Sequence, residues 1–130
     1  MIQYNTSSKI PFPASQKVFQ SGVPIYVMPL DSTAHLKLDE VKRDGLLTEG
    51  TPLTNSLALL YLMWGGVTPT LFDAMAVAYV VDPALCPTEP MHVVVDNNGF
   101  TRPQPGKPNV QVCLKSDPDK FFAFYLARFP

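Results

Sequence analysis

Asp73 is the residue whose type and place best suit chemistry. It stands near the head of an apolar run, Phe72 to Val81, where the first turn of a helix would hold a carboxylate firmly. A hard cation needs oxygen ligands held in that way. The same place also suits an Asp that only charges the first turn against the helix dipole. Asp31 and Thr33 follow another apolar run, and helix capping explains them better than catalysis. The single Asp-x-Asp, Asp117-Pro118-Asp119, opens a helix rather than closing a strand. His35 and His92 have no acidic or Cys neighbour that would make an acid–base pair. His35 falls among Leu residues of a predicted helix and His92 in an apolar strand, so both read as structural or surface groups. Cys86 and Cys113 lack Cys or His partners at metal spacing, which excludes a zinc site. Free buried thiols are the favoured reading, with a disulfide left open because the redox compartment is unknown.

These residues need elements to position them. Residues 1–13 read as polar, Pro-rich loop. Ala14 to Gln20 form a short helix stopped by Ser21-Gly22. Val23 to Leu30 is a compact apolar run with the length of a buried parallel strand. Asp31-Ser32 then stands as a natural N-cap, and residues 33–49 read as helix broken near Gly45. Thr54 or Asn55 caps a helix from Ser56 to Trp64. Its apolar residues lie all round, which implies burial. Phe72 to Val81 forms a second apolar helix, ended by Asp82-Pro83. Antiparallel β follows: Met91 to Val95, a turn at Asp96-Asn97-Asn98-Gly99, and a return from Phe100. Asn109 to Lys115 is a third strand. Asp117 caps a last helix, Lys120 to Phe129, with Pro118 at its first position. The order of elements is mixed α/β.

Bulk properties narrow the function classes. A length of 130 residues fits one domain, and a charged fraction of 16% beside 46% hydrophobic residues describes a chain that builds a core. Net charge is −1 and the ten basic residues are scattered, so nucleic-acid binding is not expected. The start of the chain lacks a signal-peptide pattern. The longest apolar stretch, Leu57 to Trp64, falls far short of the roughly 20 residues that span a bilayer. A cytoplasmic protein with no membrane partner is the expectation.

An ordered series of segments resembles the C-terminal part of the inosine/uridine-preferring nucleoside hydrolase family. Gln3-Tyr4-Asn5 is similar to its Glu-aromatic-Asn substrate segment. Val18 to Ile25 resembles its helix-to-strand passage, and Met28-Pro29-Leu30-Asp31-Ser32-Thr33 its strand end. Leu71 to Tyr79 resembles a late helix that begins with a functional Asp. Val81-Asp82-Pro83 and Gly99-Phe100-Thr101-Arg102 fit as well. The resemblance implies a Rossmann-type open sheet, with helices and a small antiparallel β unit. It makes residues 1–130 a single partial domain.

The resemblance also implies an activity: cleavage of the N-glycosidic bond of purine or pyrimidine nucleosides by a Ca²⁺-bound water. Asp73 matches a calcium ligand of the family. Asn5 matches a residue that binds ribose hydroxyls. Gln3 replaces a Glu, keeping hydrogen bonding without the charge, and a terminus with no role weighs evenly against this substrate reading. Phe72 stands where many members carry a His that protonates the departing base. Phe cannot donate a proton, and its alternatives are stacking on a base or filling the core. The family's Asp-x-Asp-x-x-x-Asp-Asp motif is absent from these residues, so no catalytic residue is assigned and tight calcium binding by this chain alone is not expected. Two functions stand. One is part of a nucleoside hydrolase, whose N-terminal half is missing here or comes from another chain. The other is a non-catalytic, truncated or degenerate α/β module. Either way the strand at 23–30 would have bare edges, and homo-oligomerisation is the expected response.

Overall fold

The computed structural model describes residues 12–129. The proposed substrate residues Gln3 and Asn5 lie outside that range. Six helices and five strands appear in the order α1 (Phe12–Gln20), β1 (Tyr26–Val27), α2 (Leu30–Thr33), α3 (Glu40–Leu47), α4 (Pro52–Trp64), α5 (Phe72–Val81), a 3₁₀ turn (Pro83–Leu85), β2 (Thr88–Met91), β3 (Val93–Val95), β4 (Thr101–Pro103), β5 (Val110–Cys113) and α6 (Pro118–Leu126). This is the α/β mixture that the sequence implies.

β5 is the centre of a three-stranded sheet, with β1 parallel on one side and β2 antiparallel on the other. Tyr26 pairs with Gln111 and Val27 with Val112. β1 is much shorter than the apolar run 23–30. Pro24 and Pro29 flank it, and neither has an N–H to donate to a ladder. β3 and β4 form a separate hairpin. Its turn lies at Asp96 to Gly99, where Gly99 adopts φ 84°, as the Asn-Gly pair implies.

Local chemistry sets the helix boundaries. α4 starts at Pro52, four residues before the expected Ser56. Thr51 is its cap, and Thr51 and Thr54 exchange side-chain and backbone hydrogen bonds in a capping box. Gly65 ends α4 at φ 68°. Asp117 caps α6 as expected, accepting from the N–H groups of Asp119 and Lys120. Asp31 is not a cap: it lies inside α2, whose N-cap is Pro29. The Ser32 and Thr33 hydroxyls instead donate back to the Pro29 carbonyl. The helix expected over 33–49 is present as α3 over Glu40–Leu47, but an extended stretch replaces it over 34–39. Leu36 and Leu38 are buried while Lys37 between them is exposed, a period of two that belongs to a strand. Lys37 bridges Thr70 there. Asp39 then caps α3, accepting from the Lys42 N–H, and Gly45 sits within that helix.

Two apolar clusters fill the interior. The larger brings Leu36, Leu38, Met75 and Phe121 together from three segments. The smaller joins Val27, Val93, Val110 and Val112, with Phe19 of α1 packed against it. Asn109 pins this second cluster. Its amide donates to the Phe19 and Val93 carbonyls and its carbonyl accepts from the Val93 N–H.

Two expectations fail. Cys86 and Cys113 form a disulfide rather than two free thiols. The register that sets Thr88 beside Cys113 brings Cys86 close, with Cα atoms 5.6 Å apart, within the span a disulfide bridges. The all-round apolar pattern of α4 does not lead to burial either. Thr54 is its one buried residue, while Leu62 and Met63 are 73% and 76% exposed. No helix among the described residues is long and apolar enough to cross a membrane.

Candidate functional site

β1 and β5 run parallel, so their carboxyl ends lie side by side and lead into α2 and α6. In open α/β sheets this end of the strands is where ligands collect. A hydrogen-bond chain, buried at Ser32 and Ser116, locks it here. The Ser116 hydroxyl donates to the Ser32 carbonyl at 2.6 Å, and His35 Nε2 lies 3.1 Å from the same hydroxyl oxygen. With the Ser116 proton committed to Ser32, the His35 Nε2–H donates to Ser116. His35 is thus a structural donor, as its surroundings in sequence suggest. His92 is also structural: its Nδ1 lies 3.0 Å from the Lys107 carbonyl, in the link between β2 and β3.

α5 carries Asp73 to the same end. The Tyr79 ring, late in α5, rests 5.4 Å from the Tyr26 ring at the start of β1, and α5 also touches α2 just beyond the end of β1. The helix therefore runs against the strand, with its N-terminus at the strand's carboxyl end. That N-terminus is anchored through the backbone, the Leu71 N–H donating to the Leu36 carbonyl at 2.8 Å. No side chain caps it. Asp73 is exposed in the first turn, beside Phe72, which is 43% exposed. Phe72 does not fill the core.

These residues do not make a cation site by themselves. Among the described residues, no three His, Cys, Asp or Glu side chains group to hold a metal. Calcium takes about 6–8 oxygen ligands, and one exposed carboxylate does not fit that need.

One further feature lies beside α5. Tyr26 and Met28 from β1 and the segment after it, with Ala76, Tyr79, Val80 and Pro83, line an open apolar cleft of about 530 Å³. Tyr79 Oη sits 3.4 Å from Thr88 Oγ1, fixing one wall. Sequence reasoning did not single the cleft out, although its signals are present. Tyr26 and Met28 alternate on one strand face, and positions 76, 79, 80 and 83 fall on one helical stripe.

The family model described as inosine-uridine preferring nucleoside hydrolase matches residues 13–123. The chain belongs to that family. Among solved structures, it is similar to the purine-preferring ribonucleoside hydrolase from Gardnerella vaginalis, with 25% identity and a TM-score of 0.74. The match covers 89% of this chain and 42% of that one, so this chain spans about two fifths of the relative's length. Comparison with curated proteins returned no match.

Proposed function

We propose that this chain acts as part of a ribonucleoside hydrolase, cleaving the N-glycosidic bond of purine or pyrimidine nucleosides. In this reading Asp73 contributes one carboxylate to a Ca²⁺ site whose other ligands lie outside the described residues. The observation that carries it is the seat of Asp73: an exposed carboxylate in the first turn of α5, at the carboxyl end of the parallel strands, in a chain whose family match includes that segment. Because the residues present do not form a cation site, no chemical step is routed through the metal. What this chain supplies is a rigid oxygen ligand and, through Phe72, an apolar face against which a nucleobase can stack. Gln3 and Asn5 hydrogen-bond the ribose hydroxyls in the same proposal.

The test joins the chain to the Asp-rich segment of the family and measures release of ribose from inosine and uridine with added Ca²⁺. Asp73→Asn is expected to lower the rate by two orders of magnitude or more, in line with losing an essential charged group, while leaving the melting temperature unchanged. A rate untouched by Asp73→Asn would sink the assignment. Phe72→His adds the proton donor this chain lacks and is expected to raise turnover of purine substrates about 10²-fold.

A second reading keeps the fold without the reaction. Phe72 in place of an acid favours a module that does not hydrolyse nucleosides. If the joined protein binds Ca²⁺ in calorimetry but releases no ribose from any nucleoside, this second reading replaces the first.

A further inference from the structure

The Cys86–Cys113 disulfide is a part of the core that the proposed reaction does not use. Both cysteines are 0% exposed and lie in the larger cluster with Leu85, Met75, Phe121 and Phe122. Cys86 closes the 3₁₀ turn that follows α5, and Cys113 ends β5. The bond therefore fastens the segment just beyond α5 to the strand that pairs with β1. These are the only two cysteines of the chain. Disulfides that work as catalysts or sensors are built differently. Solvent reaches their sulfurs, and nearby positive charge or a helix N-terminus activates one thiol. Here the partners are 27 residues apart rather than in a Cys-x-x-Cys pair. Cys86 stands at the C-terminal end of its turn and Cys113 in a strand. An attacking thiolate reaches neither sulfur until the core around it opens. The bond is structural, made during folding and then kept.

We propose that this protein matures and works in an oxidising compartment outside the cytosol, in place of the cytoplasm expected from sequence. Thiol-reducing systems keep ordinary cytosolic cysteines reduced, and the disulfides found there are chiefly transient, catalytic or sensing ones. The Cys86–Cys113 bond has none of those marks. It is sealed in the core, far from the sheet's ligand-bearing chemistry at Asp73 in sequence, and it uses every cysteine the chain has. The location also sets the source of the substrate, a step that rests on the ribonucleoside hydrolase reading. On that reading the substrates are nucleosides outside the cytosol. A nucleoside is a nucleotide without its phosphate. The class of reaction that supplies it is therefore phosphate-ester hydrolysis, in which water splits a nucleotide into nucleoside and inorganic phosphate. The next cleavage also consumes only water, whose hydroxyl goes to the sugar carbon and whose proton goes to the base. Neither step calls for a phosphorylated co-substrate, which suits a compartment outside the cytosol.

The experiment follows the full protein in its source cells. Cells are fractionated in the presence of N-ethylmaleimide, which caps free thiols. The protein is then reduced, labelled with a heavy maleimide and resolved on a gel. Recovery outside the cytosolic fraction, with both cysteines taking the heavy label only after reduction, is expected. Recovery in the cytosolic fraction overturns the proposal whatever the thiol state. Recovery outside the cytosol with both thiols already capped overturns it too. A second arm places the purified, oxidised chain in a glutathione buffer poised as the cytosol is. Reduction is expected to run at least about 100-fold slower than in urea, because the core must open first. A smaller difference would show an accessible, switch-like bond and remove the ground for the compartment. These readouts are separate from the ribose-release test of Asp73. If no ribose is released but the protein is oxidised and outside the cytosol, the compartment stands and the nucleoside substrate falls.

Discussion

The Thr101 hydroxyl is buried, with the residue 5% exposed, and has no hydrogen-bond partner among the described residues. An unmet buried hydroxyl costs stability, whereas an apolar group of the same shape does not. Thr101→Val is therefore expected to stabilise the chain by about 1 kcal/mol, measured as a higher urea midpoint. Asp96 shows the reverse case. Arg102 Nε–H donates to it at 2.7 Å, and the Phe100 and Asn98 N–H groups donate as well. The Arg102 bond in particular holds its carboxyl below the ordinary 3.8, against the opposing effect of burial. The folded state thus takes up this proton less readily than the unfolded state. Its stabilising effect is complete above pH 3.8 and fades as pH falls further through the folded value. Melting temperature should drop on acidification through that window, and Asp96→Asn should shallow the drop. The seat of Asp73 in the first turn of α5 was legible from its place at the head of an apolar run. A set of converging carboxylates would not be, because groups that meet in space leave no pattern within one run of sequence.

Elements whose ends carry their own chemistry read correctly from sequence. The Asp117–Pro118 start of α6 and the Asn98-Gly99 turn are local devices, complete within a few residues. The start of α4 differs from sequence expectation because neither Thr54 nor Asn55 is its cap. Thr51 prevails because Pro52 follows it and Thr54 answers it. Thr51→Ala removes the half of that exchange in which the Thr51 hydroxyl accepts from the Thr54 N–H, leaves the Thr51 N–H donating to the Thr54 hydroxyl, and is expected to cost about 1 kcal/mol, visible as a lower melting temperature. The disulfide belongs at this scale too, since the β2–β5 ladder creates it. Replacing Cys86 and Cys113 together by Ala is expected to cost about 2–4 kcal/mol under oxidising conditions, and the same loss should follow reduction of the parent chain. Sequence spacing could not show the pairing, because the register between β2 and β5 decides it.

At the scale of the whole molecule, apolar surface is unevenly covered. The clusters around Phe121 and Val112 are sealed, while Leu62, Met63 and Val80 face outward. Helical periodicity reports that a face is apolar and is silent on what lies against it, which is why α4 reads as buried and is found exposed. The α/β class was legible because it follows from the order of elements. The length of β1 was not, since prolines at both flanks and a distant partner strand set it. That partner strand has a further consequence. Val27 meets Val112 only when nearly the whole chain exists. During synthesis at about 5–20 residues per second, α4 and α5 leave the ribosome seconds before β5 is made. The sheet cannot close in that interval, and the nascent chain carries its most apolar helices unprotected. Co-expressed chaperones are then expected to raise the yield of folded chain more than a stabilising substitution does.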